Sequence, residues 1–243
     1  IGSDGSEPPL SKLGGKAWER LKARVRAAVH EMAGELFALY ENRARVEGHA
    51  FPENDDAVDE FARAFAHRET PDQERAIDET MADMERAQPM DRLICGDVGF
   101  GKTEVAMRAA HKAAIDGKQV LVLVPTTLLA QQHLGTFRER FAQTPVEVDM
   151  VSRLRTASDT KATLVAFREG RLDILIGTHR VLGMDVQPKD LGLVVLDEEQ
   201  RFGVAQKEAL RQLRLKVDVL SLSATPIPRT LQMSLSGMRD ISV

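Results

Sequence analysis

Leu93-Ile94-Cys95-Gly96-Asp97-Val98-Gly99-Phe100-Gly101-Lys102-Thr103-Glu104 decides the fold of this 243-residue chain. Three apolar residues, a glycine-rich turn and a following run rich in Ala and Met (Val105-Ala106-Met107-Arg108-Ala109-Ala110) read as strand, loop and helix. The turn matches G-x-x-x-x-G-K-[ST] at every fixed position from Gly96 to Thr103. Glycines let backbone N–H groups turn inward around phosphate oxygens, and a helix N-terminus adds positive charge there. Lys102 is spaced to reach the β- and γ-phosphates, and Thr103 to offer its hydroxyl to Mg2+. The bland alternative, a strand-to-helix turn that binds nothing, does not need Lys and Thr at those two positions. The stretch therefore predicts a nucleotide site built by Gly96, Asp97, Val98, Gly99, Phe100, Gly101, Lys102, Thr103 and Glu104.

Outward from that loop, short apolar runs recur at 120–124, 146–151, 174–176, 193–196 and 217–222. Helical stretches separate them at about 71–86, 102–116, 127–142, 158–169 and 204–214. Strands alternating with helices of that length predict an α/β fold with a mostly parallel sheet covered on both faces. The run Leu193-Val194-Val195-Leu196 ends in Asp197-Glu198-Glu199-Gln200. A carboxylate at the C-terminal end of a parallel strand sits on the ligand-binding edge of the sheet. Asp197 is the candidate to hold Mg2+, directly or through water, and Glu198 to orient or deprotonate an attacking water. Taken alone, the tetrad suits an acidic helix start equally well.

The first 56 residues differ in texture. Residues 1–15, rich in Gly, Ser and Pro, read as a flexible lead-in. Trp18, Leu21, Val25, Val29, Met32, Leu36 and Leu39 then step by three or four, which predicts an amphipathic helix over about 16–46. Lys16, Arg20, Lys22, Arg24, Arg26, Arg43 and Arg45 lie off that face. The helix either docks on its own domain or forms an arm to a neighbouring one, and its apolar face predicts weak self-association. Residues 48–56 read as a linker and 57–65 as a short helix. The division expected is thus 1–56, lead-in and connector helix, and 57–243, nucleotide-binding domain.

Composition removes several function classes. The net charge is -4 and aromatics make up 5% of residues, so no global basic charge or stacking platform advertises nucleic-acid binding. Any DNA contact has to come from a local patch. The lone Cys95 cannot form an internal disulfide, and the His residues show no zinc-like pairing with it. No apolar run approaches the ~20 residues that span a bilayer. The start at Ile1-Gly2-Ser3 is not a signal peptide, and the missing initiator Met predicts a fragment of a longer protein.

The order of further motifs resembles a family. After the phosphate loop come Pro125-Thr126-Thr127-Leu128-Leu129-Ala130-Gln131-Gln132-His133, Ile176-Gly177-Thr178-His179-Arg180, the Asp197–Gln200 tetrad and Ser223-Ala224-Thr225. That order resembles the superfamily-two helicases and translocases. GDVGFGKTEVA, LVPTTLLAQQH, ILIGTHRVL, DEEQRFGV and SATPIPRTL are similar to their RecG-like branch, and within it to the transcription-repair coupling group. The likeness is dense over about 70–243, and Leu13-Gly14-Gly15-Lys16-Ala17-Trp18 shares it. In that group this upstream segment implies a connector between a polymerase-interacting module and the motor.

The resemblance implies a RecA-like domain that binds ATP and Mg2+, with Lys102, Asp197 and Glu198 catalytic. Thr70-Pro71-Asp72-Gln73 resembles the segment whose Gln reads the adenine edge, and a Gln amide can donate and accept at once. The same residues also suit a plain helix start, with Thr70 as cap. Thr126, Thr127 and Gln131, and then Thr178, His179 and Arg180, fall where such motors touch the DNA backbone, although both loops could be simple caps. Arg153, Arg201 and Arg229 look like further DNA-facing positions. Gln200, Ser223 and Thr225 fall where the nucleotide site is coupled to DNA movement, the two hydroxyls being able to bond Asp197 or Glu198. Many relatives have His where Gln200 stands, and Gln cannot carry charge.

The implied partners are double-stranded DNA and, for a full-length relative, RNA polymerase and excision-repair proteins. The implied location is the bacterial cytoplasm, on the nucleoid when active. The chain stops soon after Ser223-Ala224-Thr225, which predicts that a second motor domain with its arginine fingers is missing and that hydrolysis by this chain alone is poor. Two alternatives stay open: a branch-migrating helicase motor, and a non-catalytic nucleotide-switch module. The intact Lys102, Thr103, Asp197 and Glu198 argue against the second. The absence of N-K-x-D argues against a small GTPase.

Overall fold

A computed structural model describes residues 46–224 and 240–242, all within one compact unit, Arg43–Val243. The connector helix expected at 16–46, with Trp18 and its apolar face, lies outside the described residues apart from its last position. Thr225 and Arg229 lie outside them too.

The order of elements is α1 (Asp56–Arg63), α2 (Pro71–Met84), β1 (Asp91–Cys95), α3 (Lys102–Ile115), β2 (Gln119–Leu123), α4 (Thr127–Arg140), β3 (Val148–Val151), α5 (Ala157–Glu169), β4 (Ile174–Gly177), β5 (Leu191–Asp197), α6 (Val204–Leu213), β6 (Asp218–Ser223) and β7 (Asp240–Ser242). Among the described residues these strands form one seven-stranded sheet, ordered β3-β4-β2-β5-β6-β1-β7, and every pairing is parallel. Two short 3-10 turns, His179–Leu182 and Glu199–Arg201, follow β4 and β5.

The central strands are buried on both faces because their sequences are continuous apolar runs. Val120 and Val122 of β2 belong to one core cluster, and Leu121 and Leu123 belong to the other. That is the period-two alternation of a strand between two layers. On the first face lie α3 and α4, and Ala106, Ala109, Ala110 and Ala113 of α3 are fully buried. Small side chains let this helix, which carries the phosphate loop at its start, press close to the sheet. Phe167, Leu172 and Leu210 fill the second face.

Helix starts are set by side-chain caps. Thr70 and Gln73 form a reciprocal capping box on α2, and Thr126 and Thr156 cap α4 and α5. The segment 48–56, read as a linker, is packed onto the domain. Gly48 N–H donates to Ala87 O at 2.9 Å, Phe51 N–H donates to Met84 O at 2.9 Å, and the Phe51 ring is buried. The one strand that the apolar runs did not announce is β7. Its three residues hold no run of their own and are recruited by pairing with β1. Among the described residues no helix is long and apolar enough to cross a membrane.

Candidate functional site

Parallel strands deliver their following loops to one edge of the sheet. β1 ends at Cys95, β6 at Ser223 and β5 at Asp197, and these ends lie side by side, with Cys95 paired to Ser223 and Asp197 to Leu222. The last turn of β6 holds both flanking loops. Gly96 N–H donates to Ser223 O at 3.2 Å, and Glu198 N–H donates to Leu222 O at 3.0 Å. The phosphate loop and the acidic tetrad, about a hundred residues apart in sequence, are thereby fixed one strand apart.

The loop from Gly96 to Gly101 has two residues in the left-handed region, Gly99 at φ +86° and Gly101 at φ +80°. A side chain at Gly101 would also collide with the Gln73 amide. The loop is pinned from outside by that same amide, which donates to Phe100 O while Gln73 Oε1 accepts from Thr70 N–H at 2.9 Å. From inside, Lys102 Nζ donates to Gly96 O at 2.6 Å and Asp97 O at 2.7 Å. The ammonium thus rests on loop carbonyls, which a phosphate would have to displace. Asp97, Val98 and Gly99 are exposed at the loop tip.

Glu104, read as the last residue of the nucleotide loop, has its carboxylate engaged by two arginines. It is buried, accepts from Arg108 Nε at 2.9 Å, and takes two bonds from Arg140 at 2.8 and 3.1 Å. Arg108 continues to Glu69, next to the Thr70 cap. Glu104 is the third residue of α3, and its side chain is turned to Arg108 on the same helix and to Arg140 of α4.

At the acidic edge, Asp197 terminates β5 and Glu198 follows with φ +53°, the one non-glycine left-handed residue among those described. This uncommon conformation is held by contacts on every side. Glu198 Oε1 accepts from Ala224 N–H at 3.0 Å, and Oε2 accepts from the Gln200 side-chain amide. Arg201 Nε lies 3.7 Å from the same carboxylate. Burial pushes the Asp197 carboxyl above the ordinary carboxylate range; His133 and Lys102 oppose the shift and the Glu198 charge adds to it. Of the coupling residues, Gln200 does meet Glu198. From the Ser223–Thr225 stretch, the Ala224 backbone N–H is one donor to Glu198.

Two supports at this edge were missed in the sequence. Glu199, third in the tetrad, points away from the phosphate loop. It accepts from Arg214 at 2.7 Å and from Ser221 Oγ at 3.1 Å, and Arg214 also reaches Asp91 at 3.0 Å. This chain of ions ties the turn after β5 to α6, β6 and β1. The second support is His133, whose Nε2 lies 3.4 Å from Asp197 Oδ2.

Asp197 and Thr103 offer carboxylate and hydroxyl oxygens, the donors preferred by a hard cation such as Mg2+. Among the described residues no group of three or more His, Cys, Asp or Glu is arranged to hold a metal by itself. A buried polar atom without a hydrogen-bond partner, His133 Nε2, stands beside Asp197, so the residues present fit the ion.

The described residues expected to face DNA come from the segments after β2, β3, β4 and β5, and so from the same sheet edge. Thr126 is exposed, and its Oγ1 accepts from Leu129 N–H at 3.2 Å as the cap of α4; Gln131 is exposed on that helix. Arg153 and His179 are exposed, whereas Thr178 is buried. Arg180 is engaged by both carboxylate oxygens of Asp185, at 2.6 Å for the Nη1 contact. Arg201 is exposed over most of its side chain.

Residues 70–234 match the family model described as DEAD/DEAH box helicase. The chain is 54% identical over 243 residues to the transcription-repair-coupling factor of Bacillus subtilis (strain 168), covering all of this chain and 21% of that protein. It is 54% identical over 242 residues to the transcription-repair-coupling factor of Myxococcus xanthus, covering 20% of it. The chain therefore spans about a fifth of the length of these curated relatives. Among solved structures, that of RecG bound to a three-way DNA junction superposes with a TM-score of 0.72 at 34% identity, over 86% of this chain and 29% of that one.

Proposed function

The chain belongs to the DEAD/DEAH box helicase family, and we propose that it is the first motor domain of an ATP-driven double-stranded DNA translocase of the transcription-repair coupling kind. In the whole protein this motor would push stalled RNA polymerase off its template and bring in excision repair. The observation that carries the reading is the side-by-side placement of the strand ends bearing Lys102, Asp197 and Glu198, with β6 between them holding both loops. The higher identity to transcription-repair-coupling factors than to RecG supports this kind over a branch-migrating helicase.

Each residue then has a task its position allows. Lys102 exchanges the Gly96 and Asp97 carbonyls for β- and γ-phosphate oxygens. Gly99 and Gly101 let the loop backbone approach those phosphates. Asp197 and Thr103 would hold Mg2+, which when bound supplies positive charge against that developing on the phosphates. Glu198 orients the attacking water once it leaves Ala224 N–H and the Gln200 amide. In the arrangement described, both Lys102 and Glu198 are engaged with the protein itself. On this reading the domain binds nucleotide and turns it over slowly in the absence of DNA.

The test is steady-state ATP hydrolysis with and without duplex DNA, against Lys102→Ala, alongside binding of a fluorescent ADP. Nucleotide binding that Lys102→Ala abolishes, with turnover below about 0.1 per second, is the expected outcome; enzymes typically turn over at about 1–1,000 per second. No nucleotide binding by the wild-type chain would overturn the reading.

A further inference from the structure

Residues 64–70 join α1 to α2 outside any helix or strand and end at the Thr70 cap. Arg108 ties this connection to α3. Its Nη2 donates to Glu69 Oε1, and its guanidinium carbon lies 5.7 Å from the centre of the Phe65 ring. Arg108 is itself held from behind. Its Nε donates to Glu104 Oε1 at 2.9 Å, and Arg140 of α4 donates to the two Glu104 oxygens at 2.8 and 3.1 Å. Arg140 Nη2 also donates to Phe61 O of α1 at 2.6 Å.

Two glutamates and two arginines therefore alternate in a charge-balanced chain, Glu69–Arg108–Glu104–Arg140. The Glu104, Arg108 and Arg140 side chains are only 5%, 10% and 11% exposed, and Glu69 at the outer end is 22% exposed. Apolar side chains in place of a buried ion chain are often as stable, so packing alone does not call for these four charges. What the chain does is fix a position. Glu69 precedes Thr70, whose N–H donates to Gln73 Oε1 at 2.9 Å and whose Oγ1 accepts from Gln73 N–H at 3.3 Å. The Gln73 amide then donates to Phe100 O of the phosphate loop. A planar guanidinium with forked donors sets direction as well as distance.

We propose that Arg108 and Glu69 set the base selectivity of the nucleotide site, by holding the Thr70–Gln73 turn so that the Gln73 amide meets the base edge in one orientation. The proposal rests on the reading of Gln73 as the residue that meets adenine. Adenine presents an N6 donor beside the N7 acceptor, whereas guanine presents two acceptors there, so a fixed amide separates them. An amide free to turn loses that difference. Arg108 and Glu69 act through Gln73, and both are positioning residues.

The experiment is competition of ATP, GTP and inorganic pyrophosphate against fluorescent ADP on the full chain. Glu69→Ala removes the outermost member and leaves Arg108 paired with Glu104. It is expected to cut the preference for ATP over GTP about fivefold, within the size of one lost hydrogen bond, with pyrophosphate competition inside about twofold of wild type. Glu69→Gln, whose Oε1 still accepts from Arg108, is expected to keep most of the preference. Arg108→Met should repeat the loss, and Glu69→Ala carries the test where that variant does not fold. Gln73→Ala combined with Glu69→Ala should be as selective as Gln73→Ala alone, because both changes remove one contact.

A role in stability alone would weaken ATP, GTP and pyrophosphate alike, and that result would overturn the proposal. So would a wild-type preference in Glu69→Ala, or losses that multiply in the double variant. No preference for ATP in the wild type, or an unchanged preference in Gln73→Ala, would instead overturn base reading by Gln73, and the proposal with it. Failure of the wild type to bind any of the competitors or ADP would overturn the nucleotide-site reading itself.

Discussion

The Gln73 side-chain amide donates to the Phe100 carbonyl, so the start of α2 holds the phosphate loop at its crown. The same amide accepts from Thr70 N–H through Oε1. An amide nitrogen has two hydrogens and an amide oxygen two lone pairs. One of each is left over, which is what an adenine edge requires. Capping and base reading are therefore compatible in one residue, and a base read by Gln73 would be linked to loop shape. Gln73→Ala is expected to weaken fluorescent-ADP binding about tenfold, the size of one lost hydrogen bond near 1.4 kcal/mol. It should also erode the preference for ATP over GTP in competition. The Thr70 cap survives, so the melting temperature should move by no more than a few degrees. Unchanged discrimination between ATP and GTP would remove Gln73 from base reading.

Arg92 binds together β1, α2 and β7. Its guanidinium meets Asp83 at 2.6 and 2.7 Å, Glu79 at 2.8 Å and Ser242 Oγ of β7 at 2.7 Å. Arg92 and Asp83 are both almost fully buried. Removing one partner of a buried pair leaves the other charge in a poor solvent, at about 3–5 kcal/mol. Arg92→Met should lower stability by that amount in urea unfolding while leaving fluorescent-ADP affinity at 15 °C within twofold. A loss below about 1 kcal/mol would show that Glu79, Asp83 and β7 rearrange without it.

The contrast between these two sites marks what the sequence could reveal. The phosphate loop and the strand runs were legible because their residue types answer to backbone geometry: glycine where φ is positive, apolar runs where both faces are covered. Side-chain direction was not legible in the same way. Glu104 sits one residue past Thr103, yet it belongs to an ion network with Arg108 and Arg140. Glu199 sits beside Glu198 and supports the turn from behind. His133 is seven residues beyond Thr126, two helical turns, and that spacing was the one available hint that it returns toward the sheet edge. β7 and the packed segment 48–56 depend on backbone bonds to distant strands and helices, which leave no local pattern.

Arg180 was expected to face DNA, and it is held by Asp185 through a two-pronged ion pair. Both side chains are substantially exposed, at 38% and 55%. Exposed pairs of this kind contribute only about 0–1 kcal/mol, so a DNA phosphate can compete for the guanidinium. Asp185→Asn should release it. Duplex binding by fluorescence anisotropy is then expected to tighten a few-fold at low salt. The slope of log affinity against log salt should steepen by about one phosphate contact. The gain should vanish in Asp185→Asn combined with Arg180→Ala. A tightening that survives in the double variant would mean that the lost Asp185 charge, rather than Arg180, was responsible.

His111 lies flat on Phe61, with ring centroids 4.1 Å apart and 5° between planes, and is 2% exposed. Its Nδ1 has no hydrogen-bond partner. Burial, and then the charge of Arg140, hold its pKa down to about 4, with Asp55 pulling weakly the other way. In the unfolded chain the same group titrates near 6.5. Between those values the unfolded chain binds a proton that the folded one refuses. Stability from this group is thus fully present above about pH 6.5 and is lost as pH falls toward 4, on the order of 3 kcal/mol across the window. His111→Phe keeps the stack with Phe61 and removes the proton site. Its stability by urea unfolding should equal or exceed wild type at pH 7, since an unpaired polar atom is gone. Its decline between pH 6.5 and 4.5 should be shallower by one proton's worth of slope. Parallel pH profiles for the two proteins would place the acid sensitivity elsewhere, among the paired carboxylates of Asp149 and Glu69, whose pKa values lie below the ordinary range.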